Sequence, residues 1–219
     1  MTTFDLGMLP GPQRRLWSAL GDTPTDFVLY GGTALALRLG HRESVDFDFF
    51  SREPFAPEDL RKRIGYLEAA RTLQQSGNTL TCVVDREGDV HVSFFGGLDL
   101  CSVREPDRAD GPGIFVASLL DVAATKVTTV QARADAKDYL DIDAVLRAGV
   151  ALEDALGAAG AVYGTGFNPL LTLKALTYYA EGDLDTVPNT VRDRLAAAVG
   201  AVDLKRLPTF EPRPWLRRP

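Results

Sequence analysis

The segment LYGGTALALRLGHRESVDFDFF, residues 29–50, has the clearest structural pattern in the sequence. The apolar run FVLY, residues 27–30, ends in two adjacent glycines and predicts a buried strand. The segment TALALRL then predicts a helix that starts at Thr33. The stretch VDFDFF alternates acidic and large apolar residues with a period of two, which predicts a second strand. These residues therefore predict a strand, a tight turn, a short helix and a second strand.

Two aspartates, Asp46 and Asp48, share one face of the second predicted strand, because successive side chains of a strand point to opposite faces. Val45, Phe47 and Phe49 would point the other way. Neighbouring carboxylates repel each other unless a cation lies between them, and Mg²⁺ takes carboxylate oxygens. The alternative interpretation of an Asp-Phe-Asp strand is a solvated polar face on a half-exposed sheet.

The glycine pair adds a second feature to this stretch. Gly31 and Gly32 let the backbone turn sharply and approach a ligand closely. Thr33 would then open a helix whose free N–H groups and dipole favour an anion. Alone, such a pair is also typical of an ordinary strand-to-helix turn. Joined to a two-aspartate strand by one short helix, it predicts a phosphate cradle beside a metal site.

Composition limits the class of protein. The 219 residues carry a formal net charge of -6 and are 45% hydrophobic, which is typical of a soluble globular protein. We expect a cytoplasmic protein without membrane contact, because there is no apolar run of about 20 residues and no signal-peptide pattern at the first residues. Two cysteines and two histidines give no zinc-type spacing, so oxygen atoms would have to hold any metal. The acidic balance argues mildly against a protein that coats nucleic acid, although a local basic patch would still bind it.

The order of the predicted elements indicates an α+β fold with two lobes. Residues 79–97 predict two strands joined by a polar turn, and nearly everything from Leu119 onward predicts helices. We therefore expect a sheet lobe at residues 1–118, a helical lobe at residues 119–219, and an active-site cleft to which the helical lobe contributes.

A charged block lies early in the helical region. Arg133 and Lys137 follow Lys126 by seven and eleven residues, so the three side chains line one face if the helix is continuous. Asp138 and Asp141 lie near the end of that face. A solvated charged stripe is the alternative interpretation, but the small apolar neighbours favour a packed helix whose cations face the cleft.

The 31–50 segment resembles the DNA polymerase β-like nucleotidyltransferase superfamily, in which Gly-Gly or Gly-Ser is followed, after a helix, by Asp-x-Asp. It more closely resembles the AbiEii-type nucleotidyltransferases, toxin components of bacterial toxin–antitoxin and abortive-infection systems. In that family His-Arg-x-Ser commonly precedes the Asp-x-Asp strand, as His41, Arg42 and Ser44 do here. LLDVAATKVTTVQARADAKDYLDI is similar to the family's later block, so the resemblance covers residues 29–142.

The resemblance implies a fold and an activity. The fold would be α+β, with an N-terminal polymerase β-like mixed sheet and flanking helices followed by a C-terminal helical lobe. The activity would be Mg²⁺-dependent transfer of a nucleoside monophosphate from an NTP to an acceptor hydroxyl, with tRNA as an acceptor and an antitoxin protein as partner. The implied roles are metal binding by Asp46 and Asp48, nucleotide binding by Gly31, Gly32, Thr33, Arg42, Lys126 and Arg133, and orientation of a basic or substrate group by Asp138.

One position departs from the superfamily pattern. The third carboxylate usually stands on a later strand beside the Asp-x-Asp strand, and the best candidate, VHVSFF, holds Ser93 at the expected position. Asp89 and Asp99 flank that strand but lie outside this position. Either the third acid comes from elsewhere, or the metal site is leaner, or the enzyme is impaired.

Other functions stay open from the sequence. The acceptor could be a small molecule or a protein hydroxyl, which the acidic net charge fits slightly better than RNA. The basic residues of 192–207 and of the tail, with Trp215 as a stacking surface, could form an RNA-facing patch. A non-catalytic descendant that binds nucleotide is the alternative outside the enzymes.

Overall fold

The computed structural model describes residues 4–99 and 101–214. These residues form two compact units. The first contains residues 4–99 and Glu105–Ser118, and the second contains Cys101–Arg104 and Leu119–Pro214.

The first unit is a mixed sheet with short helices. Its helices are α1 (Gly11–Trp17), α2 (Gly31–Leu39) and α3 (Pro57–Arg63). Its strands are β1 (Val28–Tyr30), β2 (Asp46–Phe50), β3 (Arg71–Ser76), β4 (Thr79–Asp85), β5 (Asp89–Phe95), β7 (Asp107–Arg108) and β8 (Phe115–Val116), while β6 (Cys101–Ser102) belongs to the second unit. The seven strands are ordered β3-β4-β5-β2-β1-β8-β7, so the Asp-x-Asp strand lies in the middle of the sheet.

Strand β2 is held by its apolar face. Phe47 and Phe49 are fully buried, and the Phe49 ring stacks on Phe94 with centroids 5.4 Å apart. Asp46 is exposed and Asp48 is half-buried on the opposite face. The strand runs antiparallel to β1 and parallel to β5. The predicted alternation is thus confirmed within the strand, whereas Val45 precedes the strand and is 51% exposed.

The second unit is helical. Its helices are α4 (Leu119–Thr129), α5 (Ala136–Arg147), α6 (Leu152–Tyr163), α7 (Pro169–Ala175) and α8 (Asn189–Ala201), and β6 pairs with β9 (Arg213–Pro214). Nothing in the described ranges is a helix long and apolar enough to cross a membrane. Trp215 and the arginines after it lie outside the described residues.

The charged block is not one continuous helix, because residues 130–135 separate α4 from α5. The hydroxyls of Thr128 and Thr129 donate to the carbonyls four residues earlier, at 2.9 and 2.8 Å, a pattern that weakens and bends helices. Asp135 then caps the new helix, since its side chain accepts a hydrogen bond from the Lys137 N–H. The sequence therefore ends one helix and starts another.

Three smaller differences concern the first unit. Helix α2 begins at Gly31 rather than at Thr33. Residues 56–70, where a proline near the start and acids in the first turn predict a helix, are α-helical only as far as Arg63, and Gly65–Leu67 forms a separate 3₁₀ turn. Edge strand β3 was not predicted, because its polar residues do not alternate with apolar ones. The predicted α+β class, a mixed sheet followed by helices, is confirmed.

Candidate active site

The Asp48 carboxylate, on β2, lies next to the turn between β1 and α2. Gly31 has a φ of 73°, a conformation that favours glycine. A Cβ atom at this position would lie 2.8 Å from Oδ2 of Asp48. Tyr30, the residue before this glycine, pairs with Asp48 across the two strands. The carboxylate therefore lies against the glycine turn, in the space that a larger residue would fill.

The second glycine of the turn lies under a guanidinium group. A Cβ atom at Gly32 would lie 2.7 Å from Nη2 of Arg42 and 2.9 Å from Oγ of Ser44. Nη1 of Arg42 donates to the Glu43 carbonyl at 2.9 Å, which helps to fix the side chain. A positive side chain thus lies beside the N-terminal turn of α2, where backbone N–H groups and the helix dipole attract anions.

Thr33 ties the helix to the aspartate strand. Its side chain is almost fully buried, and its hydroxyl donates to the Asp46 carbonyl and lies 2.9 Å from Oγ of Ser44. This side chain is therefore directed into the protein, and the predicted phosphate contact of Thr33 would have to use its backbone N–H. The contact also gives Ser44 a structural role, which the sequence showed only as part of a family pattern.

Strand β5 lies beside the two aspartates, in parallel register. His91 pairs with Asp46, and Ser93 pairs with Asp48. Ser93 is buried, with its Oγ 3.4 Å from Oγ1 of Thr81 on β4. His91 is exposed and was missed as a neighbour of the site. It precedes Ser93 by two residues, so the alternation of β5 could have placed it on the same face.

The residues on this face fit a hard divalent cation. Asp46 and Asp48 supply carboxylate oxygens, and the exposure of Asp46 leaves room for water and substrate oxygens. Within the described ranges, no group of three or more histidines, cysteines or acidic residues has an arrangement that could hold a metal ion. The protein thus offers a two-carboxylate site, and other ligands would come from solvent and substrate.

The second unit contains a buried network of charges. Nζ of Lys126 lies 2.7 Å from Oδ1 of Asp138 and 2.6 Å from Oδ2 of Asp141. Arg133 donates to both Asp138 oxygens, at 2.7 and 3.0 Å. The two aspartates are completely buried and Lys126 is 6% exposed, whereas the Arg133 side chain is 56% exposed.

The break between α4 and α5 makes this network possible. Lys126 and Arg133 converge on Asp138 instead of lining one face, and Lys137 is exposed. Burial acts to raise the pKa of Asp138, but the hydrogen bonds and charges of Arg133 and Lys126 outweigh it and lower that pKa below the ordinary value. The structure therefore brings three predicted site residues together, namely Lys126, Arg133 and Asp138.

Two arginines of the predicted RNA-facing patch make contacts inside the second unit. Arg192 donates to the carbonyls of Leu184, Asp185 and Val187. Arg194 forms a two-point contact with Asp143, at 2.6 and 2.8 Å. These hydrogen bonds hold α8 in place, so both arginines have a structural role that the sequence did not indicate.

Solved structures with a similar fold are nucleotidyltransferases. A candidate nucleotidyltransferase from H. pylori matches with a TM-score of 0.55 and 15% identity, over 86% of this chain and 91% of that chain. MenT4, a nucleotidyltransferase toxin from Mycobacterium tuberculosis H37Rv, matches with a TM-score of 0.53 and 17% identity, over 88% of this chain and 83% of that chain. The chain therefore shares the fold of these two proteins.

The family follows from the sequence match. The family described as nucleotidyl transferase AbiEii toxin, type IV toxin–antitoxin system, matches residues 15–212, and the chain belongs to this family. An uncharacterised protein from Aquifex aeolicus (strain VF5) is 36% identical over 124 residues, which is 56% of this chain and 58% of that relative's length. The predicted AbiEii-type family is confirmed.

Proposed function

We propose that this protein is an Mg²⁺-dependent nucleotidyltransferase that moves a nucleoside monophosphate from an NTP to an acceptor hydroxyl and acts as a toxin. The observation that carries the proposal is the position of the Asp48 carboxylate against Gly31, at the start of α2. It supports the proposal because a carboxylate, a group that can bind a cation, lies beside backbone N–H groups of the kind that bind phosphate. Membership of the AbiEii family supports the same activity.

The candidate site residues of the first unit each have a part in this reaction. Asp46 and Asp48 would hold the Mg²⁺, which when bound neutralises negative charge on the phosphate oxygens. The backbone N–H groups at Gly31, Gly32 and Thr33 bind phosphate oxygens, and Arg42 adds a positive charge. The acceptor hydroxyl gives up its proton to solvent and attacks the α-phosphorus. A new O–P bond forms, the bond to the β-phosphate oxygen breaks and pyrophosphate leaves. The protein contributes chiefly positioning and electrostatic stabilisation.

The proposal extends to the charge network of the second unit. Asp138 holds Lys126 and Arg133 in fixed orientations through hydrogen bonds of 2.7–3.0 Å. We assign both cations to the phosphates of the nucleotide and assign Asp138 the role of orienting them. Arg133 supports this assignment, because more than half of its side chain is exposed while its guanidinium is fixed. Residues 1–118 would then be the nucleotidyltransferase lobe, and residues 119–219 would contribute these cations.

The acceptor and the partner are the finer parts of the proposal. We propose tRNA as the acceptor, a separate antitoxin protein as the partner, and the cytoplasm as the location, and the type IV toxin–antitoxin family supports a toxin with an antitoxin. The net charge of -6 keeps a small-molecule or protein acceptor as the second candidate.

Label transfer tests the activity directly. Purified protein is incubated with Mg²⁺, total cellular RNA and each α-labelled NTP in turn. Asp46→Asn and Asp48→Asn should each reduce the rate of transfer about a thousandfold or more. Loss of the metal ion that these carboxylates hold would remove several kcal/mol of transition-state stabilisation. Asp89→Asn is the matched control, because Asp89 is an exposed aspartate on the neighbouring strand, beside Arg71.

The labelled product identifies the acceptor. Label on tRNA-sized RNA that is lost in both variants but kept in the control supports transfer to tRNA and identifies the base. Label on a protein or small molecule would contradict tRNA as the acceptor but would support nucleotidyl transfer as the reaction. Nucleotide binding with no label on any molecule contradicts the enzyme and supports the non-catalytic alternative.

A further inference from the structure

We infer that position 93 sets the number of metal ions, and that Ser93 leaves this chain with one tightly held divalent cation, on Asp46 and Asp48. The inference rests on the proposed function and concerns the same site. It selects the leaner metal site from the three explanations for the missing third carboxylate.

The strand register places Ser93 at the critical position. Asp48 and Ser93 are paired in the parallel β2–β5 ladder, and directly paired residues of neighbouring strands project from the same face of the sheet, about 5 Å apart. An acid at position 93 would therefore stand beside Asp48, on the face that carries Asp46.

The side chain at this position cannot supply the negative charge that a second cation needs. Ser93 is only 8% exposed, and its hydroxyl lies 3.4 Å from Oγ1 of Thr81. These two neutral hydroxyls lie where a third carboxylate would stand, so only the carboxylates of Asp46 and Asp48 are there to balance the charge of bound metal. The remaining neighbour on β5, His91, offers nitrogen, whereas Mg²⁺ prefers oxygen.

The nearby and the buried acids do not replace the missing carboxylate. Asp89 is on β5 but four residues before Ser93, about 13 Å along the strand, where its carboxylate lies 3.6 Å from Arg71. Asp138 and Asp141 are fully buried and paired with Lys126. Their negative charges are therefore already balanced within the second unit.

Counting bound Mn²⁺ by electron paramagnetic resonance tests the inference without using activity. The probe is Mn²⁺ with a saturating α,β-methylene NTP analogue, and the double variant Asp46→Asn, Asp48→Asn gives the background from free nucleotide. We expect one tightly bound ion for the wild-type chain and for Ser93→Ala. We expect two for Ser93→Asp, with the second ion bound about tenfold or more tightly than in the wild type.

Each outcome is decisive. Two tightly bound ions in the wild-type chain would overturn the inference and leave the nucleotidyltransferase proposal standing. One ion in Ser93→Asp would also overturn it, because position 93 would then not face the metal site. Binding in the wild-type chain equal to the background of the double variant would contradict the proposed function itself.

A stability measurement covers the case in which the acidic variant folds poorly. Without metal, Ser93→Asp places a third carboxylate beside Asp48, and like charges lower the melting temperature. Mn²⁺ should raise the melting temperature of Ser93→Asp more than that of the wild type or of Ser93→Asn. The asparagine side chain has the shape of the aspartate side chain but lacks its charge. Equal shifts in all three proteins would overturn the inference.

Discussion

Two pairs of aspartates, one on β2 and one on α5, lie in opposite surroundings. Asp46 and Asp48 stand two residues apart on a strand, where one is exposed and the other half-buried. Asp138 and Asp141 stand three residues apart on α5, and both are completely buried. The buried pair contacts Lys126 at 2.6–2.7 Å. The same chemical group is thus kept accessible in one unit and neutralised in the other.

The difference shows how surroundings decide what a carboxylate can do. A buried charge must be paired and hydrogen-bonded, because an isolated ion in the interior costs several kcal/mol. The buried pair is therefore committed to its cations and to the stability of the second unit. Asp46 is exposed and Asp48 is half-buried, so water screens the repulsion between them and their oxygen atoms are accessible to a metal ion.

The strongest test of this comparison is removal of a buried carboxylate. Asp138→Ala leaves Lys126 buried without one of its two partners and releases Arg133. We expect a loss of about 3–5 kcal/mol in the free energy of unfolding, the usual cost of breaking a buried ion pair. Urea denaturation measures it, with the exposed neighbour variant Lys137→Ala as the control. A loss below about 1 kcal/mol would mean that the network is not a stabilising feature.

The accessible pair was predictable from the sequence and the buried network was not. The period of two in VDFDFF fixes the face of Asp46 and Asp48 without knowledge of any partner strand. The convergence of Lys126 and Arg133 on Asp138 depends on the interruption of the helix at residues 130–135. Spacing along a continuous helix predicts that these cations line one helix face. Periodicity therefore cannot predict charges that a turn brings together. Strand β3 was missed for a related reason, because an exposed edge strand has no buried face to mark it.

A second test acts on the glycine turn beneath the accessible pair. Gly31→Ala introduces a left-handed alanine, which costs about 1–2 kcal/mol, and puts a Cβ atom 2.8 Å from Oδ2 of Asp48. Gly77→Ala is the matched control, because Gly77 also has a positive φ, 48°, but has open space around its Cβ position. Both variants should lose similar stability in denaturation, and only Gly31→Ala should lose Mn²⁺ binding. Equal Mn²⁺ binding by the two variants would show that the carboxylate does not need this turn.

A third test uses the pH dependence of the stability that the buried Asp138 contributes. The pKa of Asp138 is lowered in the folded protein, below an unfolded value of about 3.9. The stability that its charged form contributes is therefore complete above the unfolded pKa and is lost as the pH falls toward the folded pKa. The difference in unfolding free energy between the wild type and Asp138→Asn should be constant from pH 7 to about pH 5 and should shrink below that. A difference that grows on acidification would reverse the assigned sign.

The smallest expected effect concerns the accessible pair in the absence of metal. Asp46→Asn removes a hydrated charge and relieves repulsion with Asp48, so it should change the free energy of unfolding by less than about 0.5 kcal/mol in metal-free buffer. Ligand should separate the two proteins, because Mn²⁺ with an NTP analogue stabilises only a chain that binds it. At a ligand concentration of about 100 times the Kd, the wild type should gain about 2.7 kcal/mol and the variant much less. A large loss of stability without metal would place Asp46 among the structural carboxylates, and the contrast between the two pairs would fail.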